Sequence, residues 1–575
     1  MKQLLSLKEI EGEQLSVEQK SWLNGLVSGL ADRGFKFTDV EPSPQPASTP
    51  DLDSLILEER VKRELHPLDA YHQLLEHAEA NKAPDKETLF RFKWHGLFFL
   101  TPAKEAYMAR LRIPGGQLKT FQVRELASIA KDLTTGYVQV TTRSNLQLRL
   151  IQPRDTPEFL RRVQSVGLHT RGSGADNIRN ITCNPTAGID PHELIDTLPL
   201  SHQLGQMILN DRAFYDLPRK FNIAFDGGGL IGSVEDTNDI GARAVRVTDA
   251  QGNPTVQFRI ALGGATGHKA FANDLGVTVP PAKLLSVIKA LVQVYIANGN
   301  RTDRKKARLK HLLESWSLER YLAETEKLLG WSLDRSPAPP IPPAQPVPHS
   351  HVGIFPQKQP GLNYIGIALP VGQITPKQMI RLAEIADLYG SGELRLTVWQ
   401  NIILPNVPDA YVESAKKAIV KMGLDWKQSN LRSGIIACTG NSYCKFASAN
   451  TKGHALELSH YLDKKLSLDQ PINIHLTGCP NSCAQHYIGD IGLLGTKVKV
   501  SGESVEGYHV FVGGGFGEKR AIGRQVFQGI SFDQLKPTLE KMLKAYLKHR
   551  EGGESFQSFS TRHDLNKLQQ LFCED

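Results

Sequence analysis

With 575 residues, 40% of them hydrophobic and 22% charged, the sequence is that of a globular chain too long for one core, so about two to four domains are expected. Its formal net charge of +8 admits an anionic ligand or an acidic partner, and the absence of a long basic stripe interleaved with aromatics argues against nucleic acid. No run of about 18 apolar residues suggests a membrane span, and six cysteines, four of them within 438–483, point to a reduced compartment (the cytoplasm) with a local thiolate site rather than a secreted disulfide scaffold.

In chain order, "MKQLLSLKEIEGEQLSVEQK" lacks the apolar stretch of a secretory signal, and its acidic residues argue against a transit peptide. Residues 1–58 read as an extension and linker, with an amphipathic helix in "SVEQKSWLNGLVSGLADRGF" and an extended connector in "EPSPQPASTP". A second proline-rich stretch, "SPAPPIPPAQPVPHSH" at 336–351, separates two segments that repeat one another at a constant offset of 256. "IPGGQLKTFQVRELASIAKDL" from Ile113 aligns with "LPVGQITPKQMIRLAEIADLY" from Leu369, and "YVQVTTRSN" aligns with "ELRLTVWQN", placing Asn145 on Asn401. A shorter echo pairs "FNIAFDG" (221–227) with "INIHLTG" (472–478). One register held this long predicts a duplicated α+β unit with a crevice between copies.

The cysteines come as two pairs, Cys438 with Cys444 in "IIACTGNSYCKFA" and Cys479 with Cys483 in "LTGCPNSCAQH". Four soft thiolates gathered by two turns suit zinc or an iron–sulfur cluster. Structural zinc knuckles usually have two intervening residues, which neither pair has, and the Gly/Asn/Ser-rich turns leave room for bridging sulfides; spacing alone leaves both open. Cys183 in "ITCNP" has no pair partner and reads as a buried structural thiol, and Cys573 as incidental. The "GGGFG" at 513–517 lacks the spacing of a dinucleotide fingerprint and reads as a tight turn.

Taken with "YMARLRIPGG", "TTRSNLQ", "NIRNITCNP", "LPRKFN" and "GNRTDRKKAR", the cysteine pattern closely resembles the sirohaem- and iron–sulfur-containing nitrite and sulfite reductases, over roughly residues 60–560. The resemblance implies an α+β fold of duplicated ferredoxin-like half-domains, at 59–163 and 352–428, and two sirohaem/iron–sulfur-binding α+β domains, at 164–335 and 429–575, joined through the 336–351 connector. It further implies that Cys438, Cys444, Cys479 and Cys483 hold a [4Fe–4S] cluster, that the Cys483 sulfur also ligates the sirohaem iron, and that the opposite iron face receives substrate.

Matched position by position, Arg110, Arg179 and Lys220 resemble the substrate-facing cations, and Arg143, Gln147, Arg219 and Arg308 the contacts to the macrocycle's carboxylates. Arginine suits both tasks, because its planar fork donates parallel hydrogen bonds and stays charged. Without the resemblance, Arg110 and Arg143 would read as surface residues of strands, and "RTDRKKARLK" as a solvated helix face. In the "PRK" motif, Lys220 is followed by Asn222 where sulfite-reducing relatives typically carry a second lysine, and "GSGADNIRN" lacks the cysteine that some of them place before the arginine matching Arg179. An amide is adequate for a monoanion. The expected reaction is therefore six-electron reduction of nitrite to ammonium, with sulfite reduction to sulfide as the alternative. No flavin or nicotinamide module is visible, so electrons are expected from a partner, an acidic ferredoxin first and a flavoprotein second.

Overall fold

The computed structural model describes residues 9–10, 13–32, 55–100, 105–249, 251–336, 351–427 and 430–574. The connector expected at 41–50, and all but the two ends of the one at 336–351, lie outside them.

The two repeats form two antiparallel sheets that complete each other. In the first, Leu97–Leu100, Ala106–Arg110, Leu146–Ile151 and Val138–Val140 lie side by side in that order; in the second, Gly353–Pro356, Leu362–Ile367, Ile402–Pro408 and Glu393–Leu396 do the same. Each sheet gains its fifth strand from the other copy. Gln373–Ile374 pairs with Val138–Val140, and Gln117–Lys119 pairs with Glu393–Leu396, with Leu118 opposite Leu394. The exchanged strands lead directly into helices Thr120–Leu133 and Pro376–Tyr389, which pack on one another. Their buried faces, Leu126, Ala127, Ile129 and Ala130 on one and Leu382, Ala383, Ile385 and Ala386 on the other, merge into a single apolar core. Exchange covers a sheet edge in each copy that would otherwise present unpaired backbone groups.

The duplication reaches the backbone dihedrals. Ser144 and Gln400 (φ 45° and 61°) and Leu150 and Asn406 (φ 61° and 59°) are left-handed at positions 256 apart. Left-handed non-glycine residues are uncommon, so their coincidence in one register reflects a shared fold.

The remaining chain forms a second related pair. Ile223–Asp226 runs parallel to Ile240–Thr248, which continues antiparallel into Pro254–Leu262 and Asn273–Val279. Ile474–Thr477, Ile491–Val500, Glu503–Val512 and Arg524–Ser531 repeat this order, offset by 251 at the first two strands, with Ile435–Ala437 added in parallel at the edge. Leu284–Asn298 and Leu318–Leu329 cover the first of these sheets, and Thr451–Lys465 and Phe532–His549 the second. Val61, Leu68, Phe90 and Trp94 join the first of these cores, whereas Tyr71, Leu74 and Phe92 join the shared core, so the segment expected to open one half-domain serves two.

The predicted N-terminal helix is present as Val17–Asp32 and packs on helix Thr156–Ser165. The backbones approach so closely at Gly25 that a Cβ there would lie 1.6 Å from the Gln164 carbonyl oxygen, which explains glycine at this point. A smaller apolar cluster that includes Ile189, Val234, Trp399, Ile436 and Ala484 fills the seam where both pairs of units meet.

Candidate active site

The site forms at that seam. Ile435–Ala437 and Ile474–Thr477 are parallel, with Ala437 opposite Leu476, so Cys438 and Cys479 leave the sheet at the same end. The Cys438 amide still donates to Leu476, at 3.0 Å, before the chain turns at Gly440, whose carbonyl accepts from the Cys444 amide at 3.1 Å. In the second loop the Ser482 amide donates to the Cys479 carbonyl at 3.2 Å. The Cys438 sulfur accepts from the Gly478 amide at 3.2 Å and lies 3.6 Å from the Thr451 hydroxyl. All six cysteines are free thiols; Cys183 is buried, as expected of a structural thiol, and Cys573 is exposed.

Two of the four clustered thiols are shifted by their surroundings. Burial and then Cys438 push the Cys483 thiol up to about 11, Lys220 opposes them, and Cys479 and Cys444 add to the rise. Cys479 is likewise raised, first by burial and also by Cys444 and Cys438. Cys483 is nonetheless accessible to solvent, so it sits at the floor of a hollow rather than inside a core. Among the described residues, no three His, Cys, Asp or Glu side chains converge tightly enough for a single metal ion. His475 and His486 are engaged elsewhere, His475 with the Gln485 carbonyl at 3.1 Å and His486 with the Ser482 hydroxyl at 2.9 Å.

Cations surround the hollow on the side of the first repeat. The Thr142 hydroxyl donates to the Cys483 carbonyl at 3.0 Å and ties the 141–145 loop to the cysteines. From that loop Arg143 donates to the Asn238 amide oxygen at 2.7 Å. With the Asn222 amide turned so that both its ends find partners, its oxygen accepts from Arg143 at 3.0 Å and its nitrogen donates to the Phe221 carbonyl. Arg110 donates to the Ser173 carbonyl at 3.3 Å and stacks on Phe98, its guanidinium 4.7 Å from the ring centre. Arg179 shares the Ser173 carbonyl, at 2.7 Å, and reaches the Ala175 carbonyl at 2.7 Å, while its Nε, among the described residues, is buried without a partner. The hydrogen bonds that hold these three arginines go to carbonyls and amides, while Asp239 acts on the charge of Arg143 and Asp176 on that of Arg179. Burial holds Arg110 and Arg179 below the ordinary guanidinium value and Arg143 at about 10. Lys220 is half-buried, and burial followed by Arg308 holds it down to about 7 against the pull of Cys483.

The other expected residues are placed differently. Arg308 is buried, and its fork clasps Asp239, whose second oxygen also accepts from the Asn222 amide N–H at 2.8 Å. Its segment is a short turn, Arg304–Lys306, followed by Leu309–Leu312, not a solvated helix face. Arg219 lies 3.6 Å from buried Asp176, which Arg304 holds with both ends of its fork. Gln147 stands opposite Arg110 in the sheet and accepts from Arg149 at 2.7 Å.

Sequence reasoning missed Arg149 and Asn180. Arg149 links Gln139 and Gln147 to Thr439, next to Cys438. Asn180 accepts from the Ile113 amide at 2.8 Å and donates to the carbonyls of Ile113, Arg143 and Ser144. Its place in "NIRNITC", one residue after Arg179, was the available signal. Asn180→Ala strands a buried amide and leaves these carbonyls without this donor. A loss of about 1–3 kcal/mol in unfolding free energy, read from denaturant titration, is the expected result.

Two family models match this chain, each in two places. The nitrite and sulphite reductase 4Fe-4S domain matches residues 174–333 and 428–574, and the nitrite/sulfite reductase ferredoxin-like half domain matches 101–166 and 355–422. This chain belongs to the nitrite and sulphite reductase family. Relatives within it include the ferredoxin–nitrite reductase of Synechococcus elongatus, 37% identical over 81% of this chain and 90% of its own length. The assimilatory ferredoxin-dependent nitrite reductase of Haloferax mediterranei is 30% identical over 82% of this chain and 84% of its own. The solved structure of the Mycobacterium tuberculosis NirA protein superposes with a TM-score of 0.83 at 28% identity, covering 89% of this chain and 97% of that one. Membership of this reductase family implies an iron–sulfur cluster and sirohaem, and the duplicated fold is the family's.

Proposed function

We propose that this chain reduces nitrite to ammonium at a sirohaem coupled to a [4Fe–4S] cluster, with ferredoxin as electron donor and the cytoplasm as its compartment. The observation that carries the reading is the placement of cations beside the paired cysteines: Thr142 ties the Arg143 loop to the Cys483 carbonyl, and Arg110 and Arg179 share the Ser173 carbonyl. The donor set fits both groups. Cys479 and Cys483, whose thiols burial and the neighbouring cysteines hold protonated in the free chain, become compatible as thiolates when bound iron supplies positive charge. Accessible cations whose partners are carbonyls fit a polyanionic macrocycle and a small oxyanion.

Cys438, Cys444, Cys479 and Cys483 would hold the cluster, and Cys483 would also ligate the sirohaem iron. When bound, these groups supply one-electron redox chemistry and an open iron position for the anion. Arg143, Gln147 and Arg219 would face the macrocycle's carboxylates. Arg308, already clasped to Asp239, orders the Asn222 backbone and adds its field. Arg110, Arg179 and Lys220 would face the substrate, stabilise its charge and favour departure of its oxygens as water. Lys220 is the one of the three whose pKa lies near neutrality, so it is the candidate proton donor. Asn222 acts through Arg143, holding the guanidinium in place.

The names of the relatives and the neutral amide beside Lys220 favour nitrite over sulfite. The surplus of +8 suits an acidic donor protein. Turnover of nitrite and sulfite with one artificial donor tests the substrate, and higher kcat/KM for sulfite overturns the proposal. Asn222→Lys adds a second ammonium beside Lys220 and withdraws the acceptor from Arg143. The expected result is a nitrite-to-sulfite preference lowered about tenfold; unchanged selectivity would remove Asn222 from the account.

A further inference from the structure

Lys452 lies outside the cationic hollow, on the second residue of helix Thr451–Lys465, and it is buried. Its ammonium donates to two backbone carbonyls, Val371 in the turn that opens the second exchanged strand and Ala437, at 3.2 Å, immediately before Cys438. The preceding residue, Thr451, donates its hydroxyl to the Cys438 carbonyl at 2.8 Å, which fixes this turn of helix against the cysteine. Burial pushes this lysine down to about 7 in the free chain, with Cys438 favouring its charge and Arg149 opposing it; among the described residues no carboxylate contributes. A buried ammonium without a counter-ion costs several kcal/mol, so this side chain holds a full charge only when an anion is set against it. A cube held by four thiolates carries net negative charge and gains one more on each reduction.

We infer that Lys452 is the counter-charge of the iron–sulfur cluster, a positioning residue whose ammonium favours the reduced cluster and raises its reduction potential. This rests on the cofactor reading above, and iron and acid-labile sulfide content of the unsubstituted holoenzyme tests that reading separately. The experiment compares Lys452→Met, Lys452→Gln and Lys452→Arg holoenzymes by iron content and by redox titration of the reduced-cluster EPR signal. The expected result is a cluster midpoint shifted to more negative potential in the Met and Gln variants, a smaller shift at the sirohaem, and near-parental behaviour in the Arg variant. Neutral variants that lose iron or fail to fold while Lys452→Arg folds and loads would equally support a need for charge. Full loading with an unmoved midpoint in the neutral variants would overturn the inference, as would loss of folding or iron in the Arg variant as well.

Discussion

Cys483→Ala is expected to lower nitrite turnover at least about a thousandfold, equivalent to about 4 kcal/mol of activation free energy. In the proposed site this sulfur would join the two redox groups, and neither remaining thiol can replace it: Cys183 is buried in the core over the sheet that begins with Ile223–Asp226, and Cys573 lies on the C-terminal helix Leu565–Cys573. The chain should still fold. Cys483 is exposed at the floor of the hollow, whereas its neighbours Ser482 and Ala484 are the buried residues that anchor the loop, Ala484 in the apolar seam. The measurement is turnover together with the visible spectrum, because loss of a sulfur ligand would perturb the haem bands even where iron is retained. Cys183→Ala is the control. Its thiol packs in an apolar core, so any cost there is one of stability and not of colour or turnover. A Cys483→Ala protein with near-parental nitrite turnover would remove the shared sulfur from the mechanism.

The architecture was legible where local pattern and long-range order coincide. The offset of 256 announced two copies of one unit, and left-handed Ser144 and Gln400 lie on it in the folded chain. The exchange of Gln117–Lys119 and Gln373–Ile374 was not legible, because a short strand carries the same pattern whether its partner belongs to its own copy or to the other. The cysteines stood out because they are few and paired. The basic residues divided according to their partners. Arg110, Arg143, Arg179 and Lys220 converge on the hollow, but nothing in "GNRTDRKKAR" announces that Arg308 is clasped by Asp239, a pairing made across 69 positions. Asn180 and Arg149 escaped notice for the same reason: their bonds reach segments distant in sequence.

Lys220→Met is expected to reduce kcat/KM for nitrite about a hundredfold, the scale of losing one preorganised charge at an oxyanion. The pH profile discriminates this role from a merely structural one. In the free chain the lysine is held at about 7, well below its usual 10.5, by burial and by Arg308. Its charge is therefore complete below that value and is lost as pH rises through it, while nitrite stays anionic across the range. In the loaded enzyme the anionic macrocycle raises this value, so kcat/KM is expected to fall with a slope approaching tenfold per pH unit at a pH above 7, and this slope disappears in Lys220→Met. A bound anion favours the ammonium form, so the corresponding fall in kcat should lie at higher pH than that in kcat/KM. Stability should move the other way. A lysine whose folded value is depressed disfavours the folded chain below that value, and the penalty is relieved as pH rises from about 7 toward the unfolded value. Lys220→Met should thus be more resistant to denaturant than its parent at pH 6, with the gap closing at higher pH. Reduced activity without altered pH slopes would mean that Lys220 shapes the hollow rather than charging it.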